Sequence, residues 1–154
     1  MIKKGLIVVG LLLLSIVMVS CGNTTGTSEI TVRNAWIRPG EIDGSPTAAY
    51  MVIHNTGDGE DRLLGISSDF SNMLEAHETQ VVDDIARMIP QEDGVLIPAN
   101  STVEFRQGGL HVMIMQLNEN LVEGQDVEFV LTFENAGEII VSAIISSTGQ
   151  IGDE

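Results

Sequence analysis

"RQGGLHVMIMQL", residues 106–117, places His111, Met113 and Met115 at every second position, with Leu110, Val112 and Ile114 alternating with them. In an extended strand successive side chains point to opposite faces, so the imidazole and the two thioethers share one face and the aliphatic residues share the other. An ordinary half-buried strand carries polar side chains on its second face. This stretch therefore reads either as a strand buried on both sides or as a row of soft ligands. The "QGG" before it is short enough for a tight hairpin, with glycine supplying the positive φ that such turns need. That predicts direct pairing of a strand at 102–107 with one at 110–116. Gly108 and Gly109 also let the backbone pass close to whatever sits beside His111.

The same texture extends along the chain. Short apolar runs near 29–37, 47–54, 61–67, 73–80, 94–98, 102–107, 110–116, 126–134 and 138–146 are separated by turn-rich segments such as "RPGEIDGSP", "NTGDGED", "QEDG", "PANS" and "NAG". Regular short strands with Gly/Pro/Asn punctuation and no long 3.6-residue period predict an antiparallel β-sandwich or barrel. The segment "VVDDIARM", 81–88, fits a short helical turn and a strand equally well. No repeat, coiled coil or second domain is visible.

The first twenty residues read as an address rather than as fold. "MIKK" is basic, and "GLIVVGLLLLSIVMV" is an apolar run of fifteen residues, shorter than the ~20 that span a bilayer comfortably. The run leads into "MVSC", which resembles a bacterial lipobox. A signal peptide cleaved before Cys21, with Cys21 lipidated, accounts for more of these features than an uncleaved anchor or a plain secretory signal. The expected organisation is a signal peptide at 1–20, a flexible tether at 21–29, one domain at 30–147 and an acidic tail at 148–154. Such a protein would be extracytoplasmic and held to a membrane by its N-terminal lipid.

Both lysines fall in the first four residues. Beyond residue 20 the chain has five arginines against 22 acidic residues, a formal charge of −17. Nucleic acid is an improbable partner for such a surface, because binding it rests on neutralising phosphates with basic side chains. The single cysteine is Cys21, so the domain has no internal disulfide and no thiolate for catalysis or metal binding. Blue-copper centres, cysteine-ligated zinc and iron–sulfur clusters are excluded.

The histidines are His54, His77 and His111, and the methionines beyond the leader are Met51, Met73, Met88, Met113 and Met115. Ten residues separate His77 from Met88, 22 separate Met88 from His111, and Met113 follows two positions on. These intervals suit ligands on separate strands and loops converging at one end of a sandwich, and no HExxH motif points to zinc proteolysis. Thioether sulfur is soft and neutral and selects Cu(I) over hard cations, while imidazole also suits copper. By spacing alone the packing reading remains the commoner one, since methionine in strands usually fills cores. His54, at a strand end, and Met51 are assigned to packing or surface roles. Met73 and Met115 are supporting neighbours of a metal at most.

"AWIRP", "AAYMVIHNTG", "DRLLGISSD", "EAHET", "ARMIP", "VLIPANSTVEFRQGGLHVMIM" and "VEFVLTFENAG" together resemble the periplasmic copper-chaperone family PCu(A)C, in order over about residues 30–135. The family's pattern of a His, a Met some ten residues later and a His-x-Met after twenty-odd more is matched by His77, Met88, His111 and Met113. The resemblance implies an all-β, cupredoxin-like Greek-key fold that binds Cu(I) through those four residues. It also implies delivery of copper to a respiratory oxidase centre, notably the Cu(A) site of cytochrome c oxidase subunit II, with no catalytic residues. The His/Met-rich C-terminal extension of some members has no counterpart here. Copper storage, or a metal-free acidic binding or assembly module, are the competing readings. Enzymatic readings are weak, since "GISSD" is no nucleophile elbow and the histidines lack a nucleophile partner.

Overall fold

The structure is a computed structural model that describes residues 26–149; the leader and Cys21 lie outside the described residues. Ten strands follow one another: β1 (Ile30–Ile37), β2 (Thr47–Asn55), β3 (Asp61–Ser68), β4 (Ser71–Val82), β5 (Ile85–Pro90), β6 (Val95–Ile97), β7 (Ser101–Phe105), β8 (Leu110–Leu117), β9 (Asp126–Phe133) and β10 (Gly137–Ile145). Among the described residues there is no helix, and so none long and apolar enough to cross a membrane. Each apolar run anticipated above forms a strand. The ambiguous 81–88 segment becomes the end of β4, a two-residue turn and the start of β5. Asp83 and Asp84 both take positive φ (53° and 60°), the conformation of a tight hairpin turn that aspartate tolerates better than most residues.

The strands order as β5-β4-β8-β2-β1-β10-β9-β3-β6, with β7 on β2. Every pair is antiparallel except β1–β10, which is parallel, so the sheet is mixed rather than wholly antiparallel. Only three neighbouring pairs, β1/β2, β4/β5 and β9/β10, are consecutive in sequence; the rest are crossovers. The inward residues make one core, with Ile37, Ile53, Ile97, Val112, Ile114, Leu131 and Ile145 fully buried around Phe129 and Phe133. Fully burying each large aliphatic or aromatic side chain contributes roughly 1.5–3 kcal/mol.

One expectation is overturned. β7 and β8 do not pair as a hairpin; both lie on the same edge of β2 and run in the same direction. Phe105 pairs with Met51 and Val112 with Ala49, so seven steps along one chain match two along the other. The excess is thrown out as a side loop, closed by Arg106 N–H to Leu110 O at 2.6 Å and Gly109 N–H to Arg106 O at 3.1 Å, with Gly108 at φ 74°. A Gly-Gly pair permits a chain reversal and a side loop alike. The nine-residue edge of β2, long enough to bind both strands, selects the loop.

The far end of the sandwich is pinned by two buried polar side chains. Asn55 accepts from the Glu29 and Gly57 amides and donates to the carbonyls of Gly59, Ile97 and Pro98. Asp61 accepts from Ser28 Oγ at 2.6 Å and from the amides of Arg62, Asn135 and Ala136 at 2.8–2.9 Å. These bonds also fasten the end of the expected tether, since Thr27, Ser28 and Glu29 are all held to the 55–61 turn.

Burial acts to raise the Asp61 pKa, but the hydrogen bond from Ser28 and those from the three backbone amides outweigh it and hold the carboxyl below its ordinary value. A depressed folded-state value stabilises the fold above the unfolded-state pKa of about 3.9, and that contribution disappears as pH falls through the lower folded value. Asp61→Asn should cost about 1–3 kcal/mol in urea unfolding at pH 7. The gap to the wild type should narrow steadily below about pH 4. A pH-independent gap would remove the ionised carboxylate from the account.

Candidate metal centre

The register of β4 on β8 sets the site. His77 stands opposite His111, Glu75 opposite Met113, and Met73 opposite Met115. These six side chains fall on one face of the pair, because they occupy alternate positions on each strand. The other face carries Leu74 and Ala76 against Ile114 and Val112 in the core. On β5, Met88 stands opposite Thr79, two positions beyond His77 on the same face. All four residues expected from the sequence therefore lie on strands, on one face of three adjacent strands, and none on a loop. The two imidazoles are 8% and 5% exposed, with ring centres 6.1 Å apart. An ion about 2 Å from one nitrogen of each ring fits between rings at that separation.

The nitrogens are differentiated by their partners. Nδ1 of His111 lies 3.0 Å from the Gly109 carbonyl. A carbonyl only accepts, so in the neutral ring Nδ1 carries the proton and Nε2 keeps its lone pair. That carbonyl also accepts from the Thr79 amide at 3.1 Å, so the side loop orients His111 and ties itself to β4. His77 is arranged the other way round. Its Nε2 lies 3.0 Å from Glu75 Oε2, and its Nδ1 is buried without any hydrogen-bond partner. A buried nitrogen left without a protein partner is uncommon and fits a ligand position.

Met88, His111, Met113 and Thr79 line a cleft of about 800 Å³, and Ala48 and Tyr50 of β2 line it as well. Tyr50 is held against Trp36 with ring centres 4.5 Å apart. Small Ala48, the β2 partner of Met113, leaves that thioether open to the cleft. His77, the β4 partner of His111, is not itself in the lining. Met88 is the most open of the four, at 55% exposure. Among the described residues no three His, Cys, Asp or Glu side chains converge on a common point. The soft donors beside the two imidazoles are the thioethers of Met88 and Met113.

The residues assigned to packing stand apart from this group. His54 is on the far half of β2, its Nδ1 2.9 Å from Thr102 Oγ1, and Met51 is a core residue at 1% exposure. Met73 and Met115 pair with each other one step further along the row, where Gln116 Nε2 approaches Met73 Sδ at 3.7 Å. Three contributors were missed from the sequence: Glu75, Thr79 and the Gly109 carbonyl. Glu75 was discoverable, since it lies two positions before His77 and so shares its face.

The LpqE-like family model, described as "Putative lipoprotein LpqE-like", matches residues 30–145. The chain belongs to the LpqE-like family. A protein of Leifsonia xyli subsp. xyli named "Putative lipoprotein Lxx21020" is 32% identical over 106 residues, covering 69% of this chain and 63% of its own. "Uncharacterized protein RP573" of Rickettsia prowazekii is 26% identical over 117 residues, covering 73% and 64%. Both matches span less than two thirds of those relatives' lengths. Among solved structures, a copper-bound PCuAC domain from PmoF2 aligns with TM-score 0.63 and 25% identity over 78% of this chain and 94% of that one. The Cu(I) form of DR1885 from Deinococcus radiodurans aligns with TM-score 0.56 and 24% identity over 79% of each chain. The PCu(A)C resemblance read from the sequence thus holds for this LpqE-like chain, together with its cupredoxin-like β fold.

The open and the buried methionines should separate in stability measurements. Met88→Ala should change the unfolding free energy by less than about 0.5 kcal/mol, whereas Met51→Ala should cost about 2–5 kcal/mol. Urea midpoints of the two variants check this, and equal losses would make Met88 a packing residue.

Proposed function

We propose that this LpqE-like protein is a lipid-anchored, extracytoplasmic Cu(I) chaperone, with copper as its cargo and His77, Met88, His111 and Met113 as its ligands. One observation carries the reading: two buried imidazoles, each with one nitrogen free of hydrogen bonds, share a strand face with two thioethers beside an open cleft. The likeness to a copper-bound PCuAC domain supports it. The donor set is neutral and soft, which favours Cu(I) over Cu(II) and over hard cations. The anchor would be Cys21, outside the described residues.

The arrangement gives the site a rigid side and an exchangeable one. His111 is fixed by the Gly109 carbonyl and His77 by Glu75, so the imidazoles would retain the ion while thioethers are replaced. Met88, the most exposed ligand, would be displaced first as an acceptor thiolate enters through the cleft. The protein performs no covalent chemistry on the way. Its acceptor would be a membrane-bound respiratory oxidase copper centre, the Cu(A) site of cytochrome c oxidase subunit II. A lipid tether raises the effective concentration of that encounter.

Anaerobic Cu(I) titration against a chromophoric chelator tests binding, and X-ray absorption tests the ligands. The loaded protein should show both nitrogen and sulfur scattering. Met88→Leu combined with Met113→Leu should weaken binding by more than the roughly 10–100-fold typical of losing a partner outside the metal's own ligands. Binding unchanged in the double variant, or copper without sulfur neighbours, would sink the assignment. Delivery is tested separately. A strain lacking the protein should lose oxidase activity at low copper, and full activity there would leave storage as the role of the same site.

A further inference from the structure

We infer that Glu75 is a positioning residue that fixes the tautomer of His77, so that His77 binds its ion through Nδ1 while His111 binds through Nε2; this rests on the copper reading above. The two histidines face each other across the β4–β8 ladder, yet different atoms hold them. His111 donates from Nδ1 to a backbone carbonyl. His77 meets the Glu75 carboxylate at Nε2, 3.0 Å away, and Nδ1 is the buried atom without a partner. A carboxylate accepts and does not donate, so it draws the single proton of neutral imidazole to Nε2 and leaves the Nδ1 lone pair free. Turning the His77 ring over would exchange Nε2 with a carbon and place a C–H against the carboxylate. Glu75 therefore selects the ring orientation together with the protonated nitrogen.

Two other roles for Glu75 fit less well. As a ligand it would make a two-imidazole, one-carboxylate set, but among the described residues no such three groups converge. As a purely structural ion pair it is poorly placed, since the Glu75 side chain is 41% exposed and half-exposed pairs contribute little to stability. A hydrogen bond that orients a metal-binding imidazole is effective without contributing much to folding. Side-chain length matters as well. Glu75 reaches forward along its own strand to His77, and aspartate at the same position is one methylene shorter.

The chain has only three histidines, which makes the test direct. In 15N-histidine-labelled metal-free protein, at a pH where free imidazole is neutral, long-range 1H–15N spectra should show His77 protonated at Nε2 and His111 at Nδ1. Glu75→Leu should release His77 into a tautomer mixture while leaving His111 unchanged, and Glu75→Asp should behave like Glu75→Leu. Cu(I) affinity of Glu75→Leu should fall about 10–100-fold, with the thermal midpoint little altered. A wild-type His77 protonated at Nδ1, or a His77 tautomer indifferent to Glu75→Leu, overturns the inference. So does a tautomer that shifts while copper affinity stays the same. If the tautomer responds but the wild-type protein binds no copper, Glu75 orients the ring and the copper reading is what fails.

Discussion

The antiparallel register of β4 on β8 is the constraint on which the candidate centre depends. It places His77 against His111 and Glu75 against Met113, and it simultaneously sends Ala76, Val112, Leu74 and Ile114 into the core. A slip of one residue would expose those aliphatic side chains and bury the ligand row. The hydrophobic effect therefore sets the geometry of the polar face, because only one register buries the apolar set. The imidazole pair needs no special backbone of its own.

The Gly108–Gly109 loop adds what the register cannot supply. β2 binds β7 and β8 end to end, so the surplus residues between them leave the sheet beside His111. Their return brings the Gly109 carbonyl to both His111 Nδ1 and the Thr79 amide. One carbonyl thereby orients a candidate ligand and anchors the base of the β4–β5 hairpin that carries Met88. On the other strand the corresponding task falls to a side chain, Glu75. The result is a pair of histidines related by strand pairing but held through opposite nitrogens.

Much of this was legible in the sequence because strands announce themselves by a period of two. The alternation in "LHVMIM" gave the two faces of β8, while His77 and Met88 were joined to it by the PCu(A)C resemblance and not by spacing alone. The role of "QGG" was not legible. Its local chemistry fits a hairpin, and the decision lay with the edge of β2, a partner fifty residues away. The "DD" turn at 83–84 was hidden for a different reason: two aspartates in positive φ do the work usually signalled by Asn-Gly. Asn55 and Asp61 also gave no signal, since a polar residue in a turn looks the same whether it is solvated or, as here, buried with its hydrogen bonds satisfied. Such pins are defined by long-range contacts that no local pattern reveals.

The distribution of charge bears on how so acidic a chain would present the selective site proposed above. Its 22 acidic side chains exert a field that attracts any cation, but weakly and without choice. Among the described residues Glu75 is the carboxylate bonded to an imidazole of the row, Glu41 and Glu123 line the same cleft, and no cluster of three His, Cys, Asp or Glu donors forms. A hard divalent ion gains little there, because it would give up its water for two nitrogens and neutral sulfurs. A soft monovalent ion loses little hydration and finds donors that match it. Under the copper reading, selectivity would come from the thioethers that strand alternation places in the row, with no cluster of three hard or imidazole donors among the described residues to compete with them.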